Sequence, residues 1–371
     1  MTDTTKTKHR HEPLVHITKR DDLPPWKSGL VQIVGIVLSL IVCGFILALF
    51  SGLSPVDVYT KMFQGTYGGK VTMMQSFHRA AILLSISLAV TPAFKMKFWN
   101  TGAEGQVLMG GLAAAACMMH LGGTMDNTTL IIVMFIVSML AGIVWAVIPA
   151  LCKAFWNTNE TLFTLMMNYV AMTLVSYFIV ANDRSGRSDL GIINERTGYG
   201  HLPQLFGQPY WFNIIMISII FIIMAIYLRF SKQGYEISVV GESENTARYI
   251  GINVKKVIIR TMMISGAICG LTGLMIVAGD QYSLKETIVG GQGFTAIMVS
   301  WMSKFNPFTM ILISLLIIFL GDGGKSATSA LGADNSIGDV LTAIVIFFII
   351  GFEFFTRYKI NFRSKKGADK Q

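Results

Sequence analysis

Two glycine-flanked polar stretches precede apolar segments and carry side chains suited to contact a polar solute. The first is Asn100-Thr101-Gly102-Ala103-Glu104-Gly105-Gln106, and the apolar run 107–119 follows it. The second, Gly290-Gly291-Gln292-Gly293, precedes the run 294–302. An ionisable group in an apolar segment is costly unless it has a function, and paired glycine-interrupted helices indicate a transport site. We therefore predict a substrate pathway lined by Asn100, Glu104, Gln106 and Gln292.

A polar stripe further along the chain extends this prediction. Polar residues recur every four positions within an apolar segment and so share one helical face: Glu160, Thr164, Asn168 and Ser176, with Met172 between them. The amide of Asn168 would be unsatisfied in hydrocarbon, so this face either packs against another helix or lines the pathway. We assign Glu160, Thr164 and Asn168 to the pathway. Helix capping is the alternative for both glutamates, through Thr101 with Glu104 and Asn157 with Glu160.

The composition identifies the chain as a membrane protein that crosses the bilayer several times. Its 371 residues are 53% hydrophobic and 14% charged, and the mean hydropathy is +0.57. We predict ten spans, of which 80–93 and 289–303 are too short for a simple crossing and suggest broken helices. The spans are 28–50, 80–93, 99–120, 128–152, 160–181, 210–230, 257–279, 289–303, 307–322 and 337–356.

Lysine and arginine residues fix the orientation, because loops that stay in the cytoplasm collect them. With the N-terminus inside, 22 of the 30 fall in inner segments, so both termini are predicted to be cytoplasmic. The net charge of +9 then reflects topology and attraction to anionic membrane lipid rather than nucleic acid. We expect basic tails at 1–27 and 357–371 around a transmembrane domain at 28–356, an uncleaved first span, and four packing cysteines without a disulfide.

Two loops are candidates for contacts with other proteins. The outer loop, 182–209, mixes charged residues with glycines and either meets a partner or is solvated. The inner loop, 231–256, contains a short predicted helix, 245–250, between Gly241 and Gly251. It is either a docking surface or a solvated connector.

The sequence Gly321-Asp322-Gly323-Gly324-Lys325-Ser326 imitates a phosphate-binding loop, but position 319, where the loop needs a further glycine, is Phe. We expect neither a nucleotide site nor a metal site in this chain, and no enzymatic activity. A pore without its own ATPase uses an ion gradient or a separate ATPase.

Three ordered motifs resemble the permease subunits of bacterial ABC importers for simple sugars, branched-chain amino acids and nucleosides, most of all the larger permease of nucleoside importers. They are the Asn100 to Gln106 stretch, Asn159-Glu160 with Leu165-Met166-Met167-Asn168-Tyr169, and Arg248-Tyr249-Ile250-Gly251-Ile252-Asn253-Val254. The sequence departs from the family pattern at Thr101, where isoleucine is usual, and at Ser243-Glu244, where Asn-Pro is common.

This resemblance implies an all-α Type II importer fold with an inverted internal repeat, in the bacterial cytoplasmic membrane. It implies two ABC ATPase domains that bind ATP, a second and different permease, an extracytoplasmic substrate-binding protein and a nucleoside substrate. The inner loop would be the coupling segment on the ATPase, with these contact residues: Gly241, Glu242, Asn245, Ala247, Tyr249, Gly251 and Ile252.

Three alternatives stay open. A permease for a simple sugar such as ribose has the same architecture. A gradient-driven secondary transporter would use Glu104 or Glu160 as its proton-linked carboxylate. A membrane scaffold would transport nothing. A route lined by amides, hydroxyls and methionines with few charges suits a neutral polar molecule better than an ion.

Overall fold

A computed structural model describes residues 15–19, 34–35, 37–46, 54–183, 187–208, 210–330, 340, 343–345, 347–348, 351–352, 354 and 358–362. The chain forms two compact units, one of Met1–Met62 with Gly324–Gln371 and one of Phe63–Gly323. Its elements are β1 Val15–Lys19, α1 Val37–Ile46, α2 Pro55–Tyr67, α3 Lys70–Lys95, α4 Ala103–Leu121, α5 Asn127–Trp156, α6 Glu160–Asn182, α7 Trp211–Phe230, α8 Lys232–Glu242, α9 Glu244–Tyr249, α10 Val254–Ile276, α11 Gln292–Met302, α12 Pro307–Ala330 and β2 Tyr358–Phe362.

Helix α10 lies at the centre of the larger unit and packs against α3, α4 and α5. Glycines allow the helix backbones to approach closely, as is common where membrane helices associate. At the crossing of α5 with α10, for example, a Cβ added at Gly142 would lie only 2.8 Å from the Cα of Gly270. Cys43, Cys117 and Cys269 are buried, and Cys152 is half-buried.

Six helices in the described ranges are long and apolar enough to cross a membrane: α3, α5, α6, α7, α10 with its extension to Gln281, and α12. Five of them confirm predicted segments. The expectation that 80–93 is a short, broken segment was wrong, because α3 begins at Lys70 and has 26 residues. Its polar N-terminal part is helical because it is paired inside the protein: His78 is 1% exposed and lies 2.9 Å from the Asn213 amide nitrogen.

The other predicted spans have different outcomes. The segment 289–303 is short as expected, because α11 has only 11 residues. Helix α4 has 19 residues and is not among the six long apolar helices. The predicted spans 28–50 and 337–356 are described only in part, the first through α1 and the second through scattered residues, so the count of ten stays a prediction. Residues 321–326 lie within helix α12 rather than in a phosphate-binding loop.

A π-helix, Val277–Gln281, continues α10 and anchors the outer loop. The amide of Leu202 donates to the carbonyl of Ala278 at 2.9 Å, and the amide of Ile193 donates to the carbonyl of Tyr282 at 2.8 Å. The loop is therefore held against the end of α10 by backbone hydrogen bonds.

The smaller unit joins the two ends of the chain. Strand β1 pairs with β2 in antiparallel register, with Val15 opposite Phe362 and Lys19 opposite Tyr358. The tails predicted at 1–27 and 357–371 thus contribute one strand each, and their other residues lie outside the described ranges.

Candidate functional site

Glu104 joins the two glycine-flanked stretches. It lies in the first turn of α4, is 3% exposed, and accepts hydrogen bonds from the amides of Gly291 at 2.8 Å and Gly293 at 2.7 Å. These amides precede or begin α11, and amides at a helix start have no partner within the helix. The carboxylate therefore caps α11. The alternative in which Glu104 caps its own helix was wrong, because its oxygens are used by a distant segment.

Asn100 and Gln106 form a second contact, with α10. The side-chain oxygen of Asn100 accepts from the Gly102 amide at 3.0 Å and from Gln106 Nε2 at 3.3 Å. Asn100 Nδ2 donates to Ser265 Oγ at 3.3 Å, and that hydroxyl donates to Gln106 Oε1 at 3.5 Å. Both predicted residues are almost fully buried, so the polar groups are satisfied between helices inside this chain.

Thr164 and Asn168 bind the same polar stretch from α6. Asn168 Nδ2 donates to the carbonyl of Thr101 at 2.9 Å, and Asn168 Oδ1 accepts from the Gly105 amide at 2.8 Å. The hydroxyls of Thr101 and Thr164 are 2.9 Å apart. Both α6 residues are at most 2% exposed. The amide that would be costly in hydrocarbon therefore holds the irregular backbone that leads into α4.

Residues 98–102 form an unwound segment without regular secondary structure, and this segment runs along α11. At one end Trp99 stacks on Trp301 in the last turn of α11, with ring centroids 5.4 Å apart. At the other end Glu104 binds the amides at the first turn. Gly293 and Trp301 are eight residues apart in this helix, which is about 12 Å along its axis. The unwound segment and the short helix α11 thus lie side by side.

Glu160 and Gln292 have different surroundings. Glu160 forms an ion pair with Lys153 at 2.9 Å, between the end of α5 and the start of α6. Asn159, rather than Asn157, caps α6 and accepts from the Leu162 amide at 3.2 Å. Gln292 begins α11, and its buried side-chain oxygen has no hydrogen-bond partner among the described residues.

Helices α8 and α9 form the inner loop. Ala247 of α9 is fully buried, whereas Tyr249 is 92% exposed and Ile250 is 52% exposed. Gly251 ends the turn with φ of +86°, a conformation that favours glycine. The predicted short helix is confirmed, and it presents an aromatic and an aliphatic side chain to the surroundings.

A hydrophobic group, here called the inner cluster, connects α9 with the unwound segment. It contains Ala93, Met96, Phe98, Ala146, Ala150, Ile237, Val240, Ala247, Val254, Val257, Ile258 and Met262, and Ile252 packs against it. Gly241 also lies against the backbone at the end of α3, where an added Cβ would be 3.1 Å from the Cα of Met96. Lys97 Nζ donates to the carbonyl of Glu242 at 3.5 Å. Asn245, by contrast, is exposed on α9.

Comparison with known proteins assigns the family. A family model described as "Branched-chain amino acid transport system / permease component" matches residues 72–350, well over half of the chain. The chain belongs to this permease family. The resemblance found in the three motifs is thereby confirmed, and the six apolar helices agree with a permease subunit in a membrane.

Three relatives of this permease are ABC transporter permeases with different solutes in their names. It is 28% identical to the glucose ABC transporter permease protein of Haloferax volcanii over 96% of each chain. It is also 28% identical to the guanosine ABC transporter permease protein of Bacillus subtilis, over 92% of this chain and 98% of the relative. The nucleoside ABC transporter permease protein of Lactococcus lactis is 24% identical over 87% of this chain and 91% of the relative.

The sequence prediction missed two partners in the permease site. Ser265, which binds Asn100, shares one face of α10 with Thr261 and Thr272, and all three are fully buried. These three residues have the spacing of one helical face, the same pattern that identified the polar stripe on α6, so the sequence could have indicated them. Trp301 resembled an ordinary apolar residue, and only the fold brings it to Trp99.

Proposed function

We propose that this permease is the transmembrane subunit of an ATP-driven importer that carries nucleosides across the cytoplasmic membrane. Separate ATPase subunits would bind and hydrolyse ATP, a second permease would complete the pathway, and an extracytoplasmic binding protein would deliver the solute. The names of the guanosine and nucleoside relatives support the substrate class. The site itself favours a neutral solute, because the carboxylate of Glu104 is already bound by two amides.

The observation that carries the mechanism is the packing between α9 and the unwound segment. The exposed side chains of Tyr249 and Ile250 would rest on the ATPase, while the buried Ala247 belongs to the inner cluster. Met96 and Phe98 belong to the same cluster and lie directly before Asn100. Because a packed cluster moves as a unit rather than deforming, a displacement of α9 would move the start of the unwound segment.

The polar network would transmit this movement to the pathway. Asn100, Gln106, Thr164 and Asn168 hold the unwound segment against α6 and α10, and Glu104 ties it to α11. These residues would act from behind the pathway wall, since they are buried in the single chain. Gln292 has the one unsatisfied oxygen of the set, which suits contact with solute or water. Glu160 would fix the ends of α5 and α6 through Lys153.

The test is uptake of labelled guanosine and uridine, with ribose and glucose alongside, by cells that contain or lack this chain while its neighbouring genes remain intact. Nucleoside uptake should disappear on deletion and return when the chain is supplied again. It should also fail when ATP is depleted but persist for a short time when an uncoupler removes the proton gradient. Uptake that follows the gradient instead would contradict the ATP-driven mechanism.

A sugar permease is the second candidate, and the glucose relative favours it because the similarity covers nearly all of both chains. The same experiment separates the two. Loss of ribose or glucose uptake on deletion, with guanosine and uridine uptake unchanged, would replace nucleosides by sugars as the substrate.

A further inference from the structure

Trp99 and Trp301 form an accessible aromatic pair in the larger unit. Their rings are stacked with an interplanar angle of 25°. Phe94, which is 4% exposed, supports both from behind in edge-on contacts, with centroids 5.9 Å from Trp99 and 6.1 Å from Trp301. Even so, Trp99 is 46% exposed and Trp301 is 40% exposed. The pair is thus held in place on one side and open on another.

The exposed side of this pair is unsuited to lipid. Trp99 belongs to the unwound segment, which overlaps the span predicted at 99–120. Irregular backbone within a membrane span is tolerated only where it is buried in protein or lines a water-filled cavity. Helix α11 has 11 residues, too few to cross the bilayer. Phe294, which is 41% exposed, lies on the same face of α11 as Trp301, two turns earlier. This aromatic face therefore looks toward a cavity or another protein.

The chemistry of the face favours a flat, uncharged ring. Indole rings stack on nucleobases regardless of base identity, because every base has a π-face. A helix N-terminus normally attracts anions, but the α11 N-terminus is occupied by the Glu104 carboxylate. A phosphate would therefore meet an existing negative charge there instead of free amides.

We propose that Trp99 and Trp301 form a stacking surface for the nucleobase of the transported nucleoside, on the wall of the pathway. This assignment rests on the proposed function, and the second permease would supply the opposite wall. The surface selects nucleosides over nucleotides because the tryptophans bind the base while Glu104 repels a phosphate at the other end of α11.

The test measures the concentration dependence of guanosine and uridine uptake by the complete importer in cells. The variants are W301A, W99A, W301F and W99F, and W156A is the control because Trp156 is 73% exposed at the end of α5. Each variant is compared at equal membrane levels and after checking that the partner subunits still co-purify. Guanosine monophosphate is added as a competitor.

For W301A and W99A we expect the apparent KM for guanosine to rise at least about fivefold, because removal of an aromatic partner weakens base stacking to this extent. The rise should be smaller for uridine, which has the smaller ring. W301F and W99F should stay within about twofold of the parent chain, W156A should be unchanged, and the monophosphate should not compete.

Two results would overturn the stacking surface while leaving the proposed function intact. One is an unchanged KM in both alanine variants. The other is a lower maximal rate, equal for all solutes and not rescued by phenylalanine, which would mean that the pair only contacts the second permease. If the parent importer takes up neither guanosine nor uridine, the proposed function itself fails before any variant is compared.

Discussion

Glu104 and Gly293 are hydrogen-bonded to each other although 189 residues separate them, with the Gly293 amide donating to Glu104 Oε2 at 2.7 Å. This bond joins the two glycine-flanked polar stretches of the sequence. It also places a carboxylate at the positive end of the α11 dipole, where negative charge is stabilising. The start of α4 and the start of α11 are consequently fixed to each other.

We predict that Glu104→Gln destabilises the permease and reduces uptake. A carboxamide has one acceptor oxygen, so one of the two glycine amides loses its partner, and the charge that complements the helix dipole is lost. The expected cost is about 2 kcal/mol. Thermal unfolding of the purified protein and uptake at equal membrane level are the two measurements.

Glu195→Gln is the matched control for this substitution, because Glu195 is exposed in the outer loop. It should change neither the Tm nor uptake. If Glu104→Gln behaved like this control, the carboxylate would have no role in holding α11.

We predict that Gly293→Ala disrupts the same contact by volume. A Cβ at this position would lie 2.6 Å from the backbone nitrogen of Glu104 and 2.7 Å from its Oε2. Real Cβ atoms do not approach so closely, so α11 must move away, at a cost of about 1–3 kcal/mol. A lower Tm and reduced uptake are expected.

Gly321→Ala serves for comparison, since nothing lies within 4 Å of a Cβ built there in the middle of α12. That substitution should be neutral or slightly stabilising, because alanine favours helix more than glycine does. An equal Tm for the two alanine variants would show that the close contact at Gly293 leaves room for a methyl group and does not determine the position of α11.

Asn168 permits a test of the network between α6 and the unwound segment. We predict that Asn168→Asp is at least as harmful as Asn168→Ala. The aspartate keeps the acceptor for the Gly105 amide but loses the donor to the Thr101 carbonyl and buries a negative charge beside that oxygen. Each variant should lower the free energy of unfolding by about 1–3 kcal/mol. Thermal unfolding of the purified permease measures this loss.

Asn182→Asp provides the matched exposed change at the end of α6, where Asn182 Nδ2 also donates to a carbonyl, that of Phe178 at 2.9 Å. Because water can replace this bond, the Tm should fall much less than for Asn168→Asp. If Asn168→Asp kept the full stability of the parent chain, the prediction would be wrong. Water would then reach this side chain, as in an open pathway, and the residue would not form a packed contact between helices.

The sequence was sufficient for what depends on local patterns. Helical spacing placed Thr164 and Asn168 on one face, and glycine spacing located the interrupted helices before Glu104 and Gln292. The partners of these residues depend on tertiary contacts instead. Thr101 and Glu104 have the spacing of a capping box, yet α6 binds the hydroxyl and α11 binds the carboxylate. Local sequence patterns cannot distinguish a capping box from these contacts with distant helices.

The extent of α3 was underestimated for a related reason. Its N-terminal part contains Gln75, His78 and Arg79, and polarity of this kind suggests a loop when solvent is assumed around it. In the fold these side chains have partners: Gln75 donates to Tyr210, His78 meets Asn213, and Arg79 pairs with Asp322 at 2.8 Å. Partners supplied by distant segments make a polar sequence compatible with a buried helix.

The exposed end of α9 gives the sharpest separation between coupling and stability. We predict that Tyr249→Ala abolishes most uptake and the stimulation of ATPase activity by loaded binding protein, while the Tm of the permease alone stays unchanged. The reason is that Tyr249 is 92% exposed and adds little to the packing of this chain, whereas Ala247, two residues earlier, is fully buried. Aromatic side chains of this kind dominate binding energy at protein interfaces.

Tyr177→Ala is the matched control, since Tyr177 is 72% exposed on α6 and lies outside the inner loop. It should retain uptake and ATPase stimulation. The coupling assignment would be abandoned if Tyr249→Ala kept both activities. A lowered Tm would instead mean that Tyr249 packs against other parts of the permease itself. A contact with the ATPase requires lost coupling together with an unchanged Tm.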